Sequence, residues 1–248
     1  MKFLEIAAGR KRGLNWDAVR DVADPAKGVE KYDMTDLPMK GVLDNTYNGV
    51  YSEHFIEHLT KEEGLNYFKE MYRVMTPGGI VRSIWPPMEF VEWLRQCSDK
   101  IQVVNLKLEH MYGPKDDVSK FVPWVISQLK KNVSEIKLTS GNQLRDFIFI
   151  DDVVYAYLCT LENIKSLGSF SQFDVGTGKS ISVKHFVKKV KQRFEIVFGL
   201  NKTILLFGAI PKRPGELMKV KVNNTALLDL GWKPKYSIER GIEKIIIN

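Results

Sequence analysis

His54, Glu57 and His58 form an H-x-x-E-H cluster in this 248-residue chain. Two histidines four residues apart share one face of a helix, and with a carboxylate nearby they have the side chains that hold zinc. No third ligand stands out, and Cys97 and Cys159 form neither a CxxC knuckle nor a disulfide framework. The expectation is therefore no metal site. A second candidate, Gly176-Thr177-Gly178-Lys179-Ser180, ends as a phosphate-binding loop does. Such a loop needs a glycine six residues before its lysine, so that backbone amides can curl around phosphate oxygens. Phe173 stands there instead.

Charge is the third chemical signal. The net charge is +7, with residues 1–98 at −2 and residues 99–248 at +9. A basic half suits phosphate-bearing partners. Yet Lys184, Lys188, Lys189 and Lys191 fall mostly opposite an apolar stripe of Val183, Phe186, Val187, Val190 and Phe194. The solvated face of an amphipathic helix accounts for them, and no recognition motif accompanies the charge, so a nucleic-acid partner is not expected.

The elements that would position these residues alternate between strand and helix. Lys2 to Ala8 is an apolar run ending in Ala7-Ala8-Gly9, and Tyr47 to Ser52 is a second strand. Glu62 to Met75 carries Leu65, Phe68, Met71, Tyr72 and Met75 at helical spacing, with Pro77-Gly78-Gly79 as its stop. Ile80 to Trp85 follows as a strand. Further on, Ile101 to Leu108 and Asp146 to Ile150 read as strands. Helices are expected over Ser119–Asn132, from Asp151, over Ser182–Phe194 and from Ser237. Strand–helix–strand order with short connections defines an α/β class with a doubly wound parallel sheet. A 44% hydrophobic, 27% charged composition excludes disordered and fibrous classes. No apolar run approaches the ~18–20 residues of a membrane span, and the N-terminus lacks the order of a signal peptide. A cytoplasmic location away from membranes is the expectation.

Two resemblances cover the chain. DNTYNGVYSEHFIEHL, then a helix, then RVMTPGGIVRSIWP is similar to the middle of class I S-adenosylmethionine-dependent methyltransferases. The resemblance implies S-adenosylmethionine as cofactor. It places the family's acidic residue and Gly-rich turn on Glu5 and Gly9, with Ala7 and Ala8 where further glycines are usual. The ribose-binding acid falls on Asp24, and the segment against the adenine on Asp33 in YDMTDLP. His54 or Glu53 would be the assisting base.

The second half resembles the substrate lobe of extended short-chain dehydrogenase/reductases, the NAD-dependent sugar-nucleotide epimerases and dehydratases. LEHMYGP, GNQLRDFIFIDDVVYAYL, FDVGTGKSISV, KRPGE and LGWKPKYSIERGI occur in family order. The resemblance implies a nucleoside diphosphate sugar as partner. Arg145 and Arg213 would grip the diphosphate with planar forks of donors, and Glu216 would contact the ribose. That family's chemistry also needs a Gly-rich dinucleotide turn and a Tyr-x-x-x-Lys pair upstream of residue 100. Neither stands there, and Tyr67 is followed by Met71 where lysine belongs. Bound NAD(P) and hydride transfer are therefore not expected.

The expected organisation is a Rossmann-like hybrid, with a partial methyltransferase-like domain over 1–96 and an epimerase/dehydratase-like lobe over 97–248. Three functional readings follow. One is a methyltransferase acting in nucleotide-sugar or surface-polysaccharide metabolism. The others are a non-catalytic nucleotide-sugar-binding remnant and an inactive fusion product.

Overall fold

The computed structural model describes residues 1–6, 18–21, 30–31, 33, 36–53, 55–56, 59–84 and 102–247. Gly9, Asp24, His54, Glu57 and His58 lie outside these residues, as do the Ala7-Ala8 turn and the end of the strand expected to reach Trp85. The chain divides into two compact units, Met1–Gln96 and Cys97–Asn248.

In the first unit, β1 (Phe3–Ile6), β2 (Ala18–Asp21), β3 (Glu30–Lys31), β4 (Tyr47–Glu53) and β5 (Met75–Ile84) form one sheet. Their order is β3-β2-β1-β4-β5, and every pairing is parallel. A central parallel strand is covered on both faces, and Leu4, Glu5 and Ile6 are all buried. Helix α1 (Lys61–Val74) begins with a capping box: Thr60 Oγ1 accepts from the Glu63 amide, and Glu63 Oε2 accepts from the Thr60 amide at 2.8 Å. Its inner face buries Tyr67, Met71 and Val74 against Leu4, Ile6 and Val50. The Tyr67 hydroxyl donates to Ser52 Oγ at 3.2 Å, and burial pushes its pKa up to about 12.

One expectation is corrected here. Pro77-Gly78-Gly79 does not separate the helix from a later strand, because β5 already starts at Met75. The pairing jumps from Tyr47↔Met75 to Gly49↔Ile80, so these residues form an irregularity within the strand. Gly78 supplies the positive φ of 78° that this needs.

In the second unit, β6 (Val103–Leu108) pairs in parallel with β10 (Phe170–Val175), and β8 (Glu135–Leu138) with β12 (Ile204–Phe207). Strand β9 (Leu144–Phe149) lies between β7 (His110–Tyr112), parallel to it, and β11 (Ser180–Ser182), antiparallel. Helices α2 (Phe121–Lys130), α3 (Ile150–Glu162), α4 (Val183–Phe198), α5 (Thr225–Asp229) and α6 (Ile238–Ile247) complete it.

Strand β9 organises this unit, since successive side chains point to opposite faces. Phe147 and Phe149 enter a core with Val125, Leu129, Phe186 and Ile242, and Phe147 stacks on Phe186 at 3.8 Å between ring centroids. Ile148 enters a second core with Val153, Phe173, Val175 and Trp232. The same alternation sends Arg145 with the first set and Asp146 with the second.

Candidate functional site

Arg145 sits one residue into β9 and is 8% exposed. Its Nη1 donates to the Leu144 carbonyl at 2.9 Å, and its Nη2 lies 3.5 Å from Glu216 Oε1. These are its hydrogen bonds among the described residues, and a guanidinium has five N–H donors. Glu216 is carried there by the chain after it. The Leu144 amide donates to the Met218 carbonyl at 2.8 Å, and Ser180 Oγ to the Val220 carbonyl at 3.1 Å, so residues 216–220 run beside the start of β9. Arg213 is exposed three residues before Glu216, in a turn closed by the Glu216 amide on the Arg213 carbonyl at 3.3 Å.

The turn before β9 is held from the other side. Gly141 has φ +66°, and a Cβ on it would fall 2.8 Å from the Lys184 backbone nitrogen. The Lys184 amide donates to the Gly141 carbonyl and the Val183 amide to that of Gln143, at 2.9 and 3.0 Å. This close approach to the start of α4 admits only glycine. It aims Gln143 at Glu216, with Nε2 3.0 Å from Oε1.

Asp146, fully buried, accepts the Thr177 amide at 2.9 Å, the Thr177 hydroxyl at 2.7 Å and the Gly178 amide at 2.7 Å. Two amides of the Gly176–Ser180 turn, those of Thr177 and Gly178, thus point at a protein carboxylate, and the Lys179 amide donates to the Thr177 hydroxyl at 3.1 Å. Glu109 and His110 lie at the junction of β6 and β7, with His110 opposite Phe147 in the register. Burial, with Asp146 and Asp174 nearby, pushes the Glu109 carboxyl up. Burial and the Arg145 guanidinium hold the His110 imidazole below its usual value. A shallow groove of about 660 Å³ lies elsewhere, between Lys184, Lys188 and residues 205–209.

The structure therefore brings Arg145 and Glu216 together, and Arg213 stands exposed on the adjoining turn with no side-chain partner among the described residues. In the first unit, Glu5 is 5% exposed in the central strand. Asp33 is exposed, and its carbonyl accepts the Asp36 amide at 3.0 Å. Glu53 ends β4, one residue beyond the Ile6↔Ser52 pair. Among the described residues no cluster of three His, Cys, Asp or Glu could hold a metal, and no helix is long and apolar enough to cross a membrane. Gln143, Asp146, Glu109 and His110 were not foreseen as site residues. A signal for Gln143 was available: it stands two residues before Arg145, which is same-face spacing on a strand.

Two parts of the chain match known families. Residues 89–176 match the NAD dependent epimerase/dehydratase family, and residues 13–82 match a methyltransferase domain. A CDP-abequose synthase of Salmonella typhimurium is 43% identical over 146 residues, 59% of this chain and 48% of that protein. One of Salmonella muenchen is 39% identical over 143 residues, 58% and 46%. The chain thus spans less than half the length of these two relatives. A mouse dTDP-D-glucose 4,6-dehydratase is 26% identical over 230 residues, 85% of this chain and 63% of that protein. Among solved structures, a UDP-N-acetylglucosamine 4-epimerase from Methanobrevibacter ruminantium matches with TM-score 0.68 at 13% identity, over 99% of this chain and 97% of that one. A Thermus thermophilus UDP-glucose 4-epimerase, solved with NAD, matches with TM-score 0.65 at 19% identity, over 100% and 98%. At such identities the likeness defines the fold: a Rossmann-like α/β protein.

Proposed function

We propose that residues 97–248 bind a nucleoside diphosphate sugar and act in nucleotide-sugar or surface-polysaccharide metabolism. Arg145 and Arg213 take the diphosphate, and Glu216 takes the nucleotide's ribose. One observation carries the reading: a nearly buried guanidinium whose carboxylate contact is as long as 3.5 Å and most of whose donors have no partner among the described residues. A buried cation this poorly compensated favours an incoming anion, and a diphosphate offers the matching planar array of acceptors. The 43% identity to a CDP-abequose synthase supports a cytidine nucleotide as the first ligand to try.

The first unit supports a second activity, methyl transfer from S-adenosylmethionine. Its central strand ends level with β4, so Glu5 and Glu53 lie at the carboxyl edge of the parallel sheet, where open α/β sheets bind ligands. A buried carboxylate at that edge fits the hydroxyl and ammonium groups of this cofactor. Glu5, Gly9, Asp24 and Asp33 would hold it, and His54 or Glu53 would take the acceptor's proton. When bound, the cofactor supplies an electrophilic methyl group, and the protein's task is to align the acceptor with it.

A thermal-shift screen of the full chain separates the readings, because a ligand at ~100 times its dissociation constant adds about 2.7 kcal/mol to a folded protein. A shift with CDP-sugars that disappears in Arg145→Ala is the expected result. An added shift with S-adenosylmethionine supports methyl transfer, and its absence favours a binding remnant. No shift with any nucleotide sugar overturns the proposal.

A further inference from the structure

Helices α2 and α4 end side by side in the second unit. The Asn201 side chain donates to the Leu129 carbonyl at 2.9 Å, the Lys202 amide to Asn132 Oδ1 at 3.3 Å, and the Thr203 hydroxyl to the Val133 carbonyl at 2.6 Å. Asn201 and Thr203 are buried, so the turn from α4 into β12 is bound to the end of α2. The apolar side chains around it are not buried: Ile196 is 63% exposed, Phe198 57%, Leu200 87% and Ile204 59%. A single exposed apolar residue is ordinary, but a group of them marks a contact surface. Residues 128–135 and 191–204 also carry five basic side chains against two acidic ones. The acids are engaged, Glu135 with Lys137 and Glu195 with Lys191, at 3.3 Å each. Lys130, Lys131 and Lys202 are exposed and have no ion pair among the described residues. The negative end of the α2 dipole suits two lysines there. It accounts neither for Lys202 nor for the exposed apolar side chains.

We propose that this corner is a peripheral membrane-binding site: Phe198 and Leu200, flanked by Ile196 and Ile204, enter the headgroup boundary of an anionic phospholipid surface, and Lys130, Lys131 and Lys202 take the lipid phosphates. The inference departs from the expectation of a chain away from membranes, and it does not depend on the nucleotide-sugar reading. Among the described residues no helix is long and apolar enough to cross a membrane, so the contact is interfacial. Charge selects the occupant. A second copy of the chain, seated on the same corner, would set lysines against lysines, because a twofold interface repeats one patch on both sides. Like charges oppose that pairing, and an anionic partner is required. Shape favours lipid over an acidic peptide. Side chains more than half exposed protrude, whereas the anchors of a docked helix need a groove to enter. The groove beside Lys184 and Lys188 is at the other end of α4. Protruding apolar residues among lysines suit a bilayer interface, where the apolar part is buried at the acyl boundary and the lysines meet anionic lipid.

The test is sedimentation of the full chain with vesicles of phosphatidylcholine alone and of phosphatidylcholine mixed with phosphatidylglycerol. Binding to the mixed vesicles is expected, weakening as salt is raised. Phe198→Ser with Leu200→Ser keeps every charge and is expected to weaken that binding about tenfold or more. Leu200→Ser alone, at the most exposed of these side chains, reads the same effect if the pair lowers the melting temperature. Lys130→Gln with Lys131→Gln should also weaken binding about tenfold or more. Lys184→Gln with Lys188→Gln removes the same charge about 15 Å or more away along α4, beyond the screening length of physiological salt. That control should change binding about twofold or less. Binding that survives the serine substitutions and falls equally in both lysine pairs is diffuse attraction to a basic unit, and it overturns the inference. So does a wild-type chain that ignores the mixed vesicles. If such a chain instead binds an amphipathic helical peptide of leucine and glutamate, and loses it in Leu200→Ser, the corner docks a protein and the lipid assignment is wrong.

Discussion

The indole nitrogen of Trp232 donates to the carbonyl oxygen of Asp152 at 3.0 Å, joining residues 80 positions apart. The Asp152 carboxylate in turn accepts the Lys235 and Tyr236 amides at 2.8 and 3.1 Å. The first turn of α3 is thereby tied to the chain entering α6, whose Ile242 and Ile246 pack under β9. The strand that carries Arg145 is held between these anchors.

Trp232 is fully buried, so its loss combines a large cavity with an unsatisfied carbonyl. Trp232→Ala should destabilise the second unit by about 3–5 kcal/mol. Denaturant unfolding followed by circular dichroism should show an earlier transition, and Trp232→Phe, which keeps the ring packing and loses the donor, should fall between the two. Equal midpoints for wild type and Trp232→Ala would contradict this account of the unit's stability.

Gly141→Ala should also destabilise, by about 1 kcal/mol or more, because φ is positive there and the new Cβ meets the Lys184 backbone. Relief requires the turn to move, and Gln143 moves with it. The variant should therefore lose affinity for a nucleoside diphosphate beyond its drop in melting temperature. Gly199, at φ +88° with open space around its Cβ position, is the control for φ strain alone.

Much of this arrangement is legible in the amino-acid pattern. The helix at Lys61–Val74 is marked by apolar residues at helical spacing, and the structure forms it within one residue of expectation. The 183–198 helix starts where Ser182 caps it and runs four residues past the expected Phe194, to Phe198 before Gly199. Other elements were hidden for physical reasons. Ile204–Phe207 is a four-residue apolar run without alternation, equally compatible with a helix and a strand, and its pairing with β8 decides the matter. Pro77-Gly78-Gly79 has the composition of a stop, yet the pairing of β4 with β5 resumes after it. Arg145 and Glu216 were identified through motifs, 71 residues apart. The i, i+2 spacing of Gln143 and Arg145 places both on one face, but their convergence on Glu216, more than 70 residues further along, is a tertiary contact that local spacing does not encode.

Arg145→Lys keeps the positive charge and removes the planar fork. If the guanidinium binds the diphosphate through several of its unused donors, affinity for CDP should fall about tenfold or more. Titrations at rising salt concentration should show a similar slope for both proteins, because the charge count is unchanged. An Arg145→Lys protein that binds as tightly as wild type would mean the guanidinium serves only to pair with Glu216.

The Glu109 carboxyl gives a prediction with a definite sign. Burial first, then Asp146 and Asp174, raise its pKa in the folded chain. The folded state therefore holds this proton more tightly than the unfolded state does. As pH rises above the ordinary glutamate value, the unfolded chain ionises first, and stability is lost through that window. Glu109→Gln removes the penalty, so the variant should be more stable than wild type at pH 7 and about equal to it near pH 4. His110 works in the opposite direction: its pKa is lowered in the folded state, by burial and then by Arg145. The unfolded chain takes up the proton first as pH falls, so this group costs stability in acid, and His110→Gln should flatten the acid limb. Melting temperatures of the three proteins from pH 4 to 8 read both effects at once. If Glu109→Gln is less stable than wild type at pH 7, its carboxylate has a compensating partner, and the Glu109–His110 corner would have to be held by charge rather than strained by it.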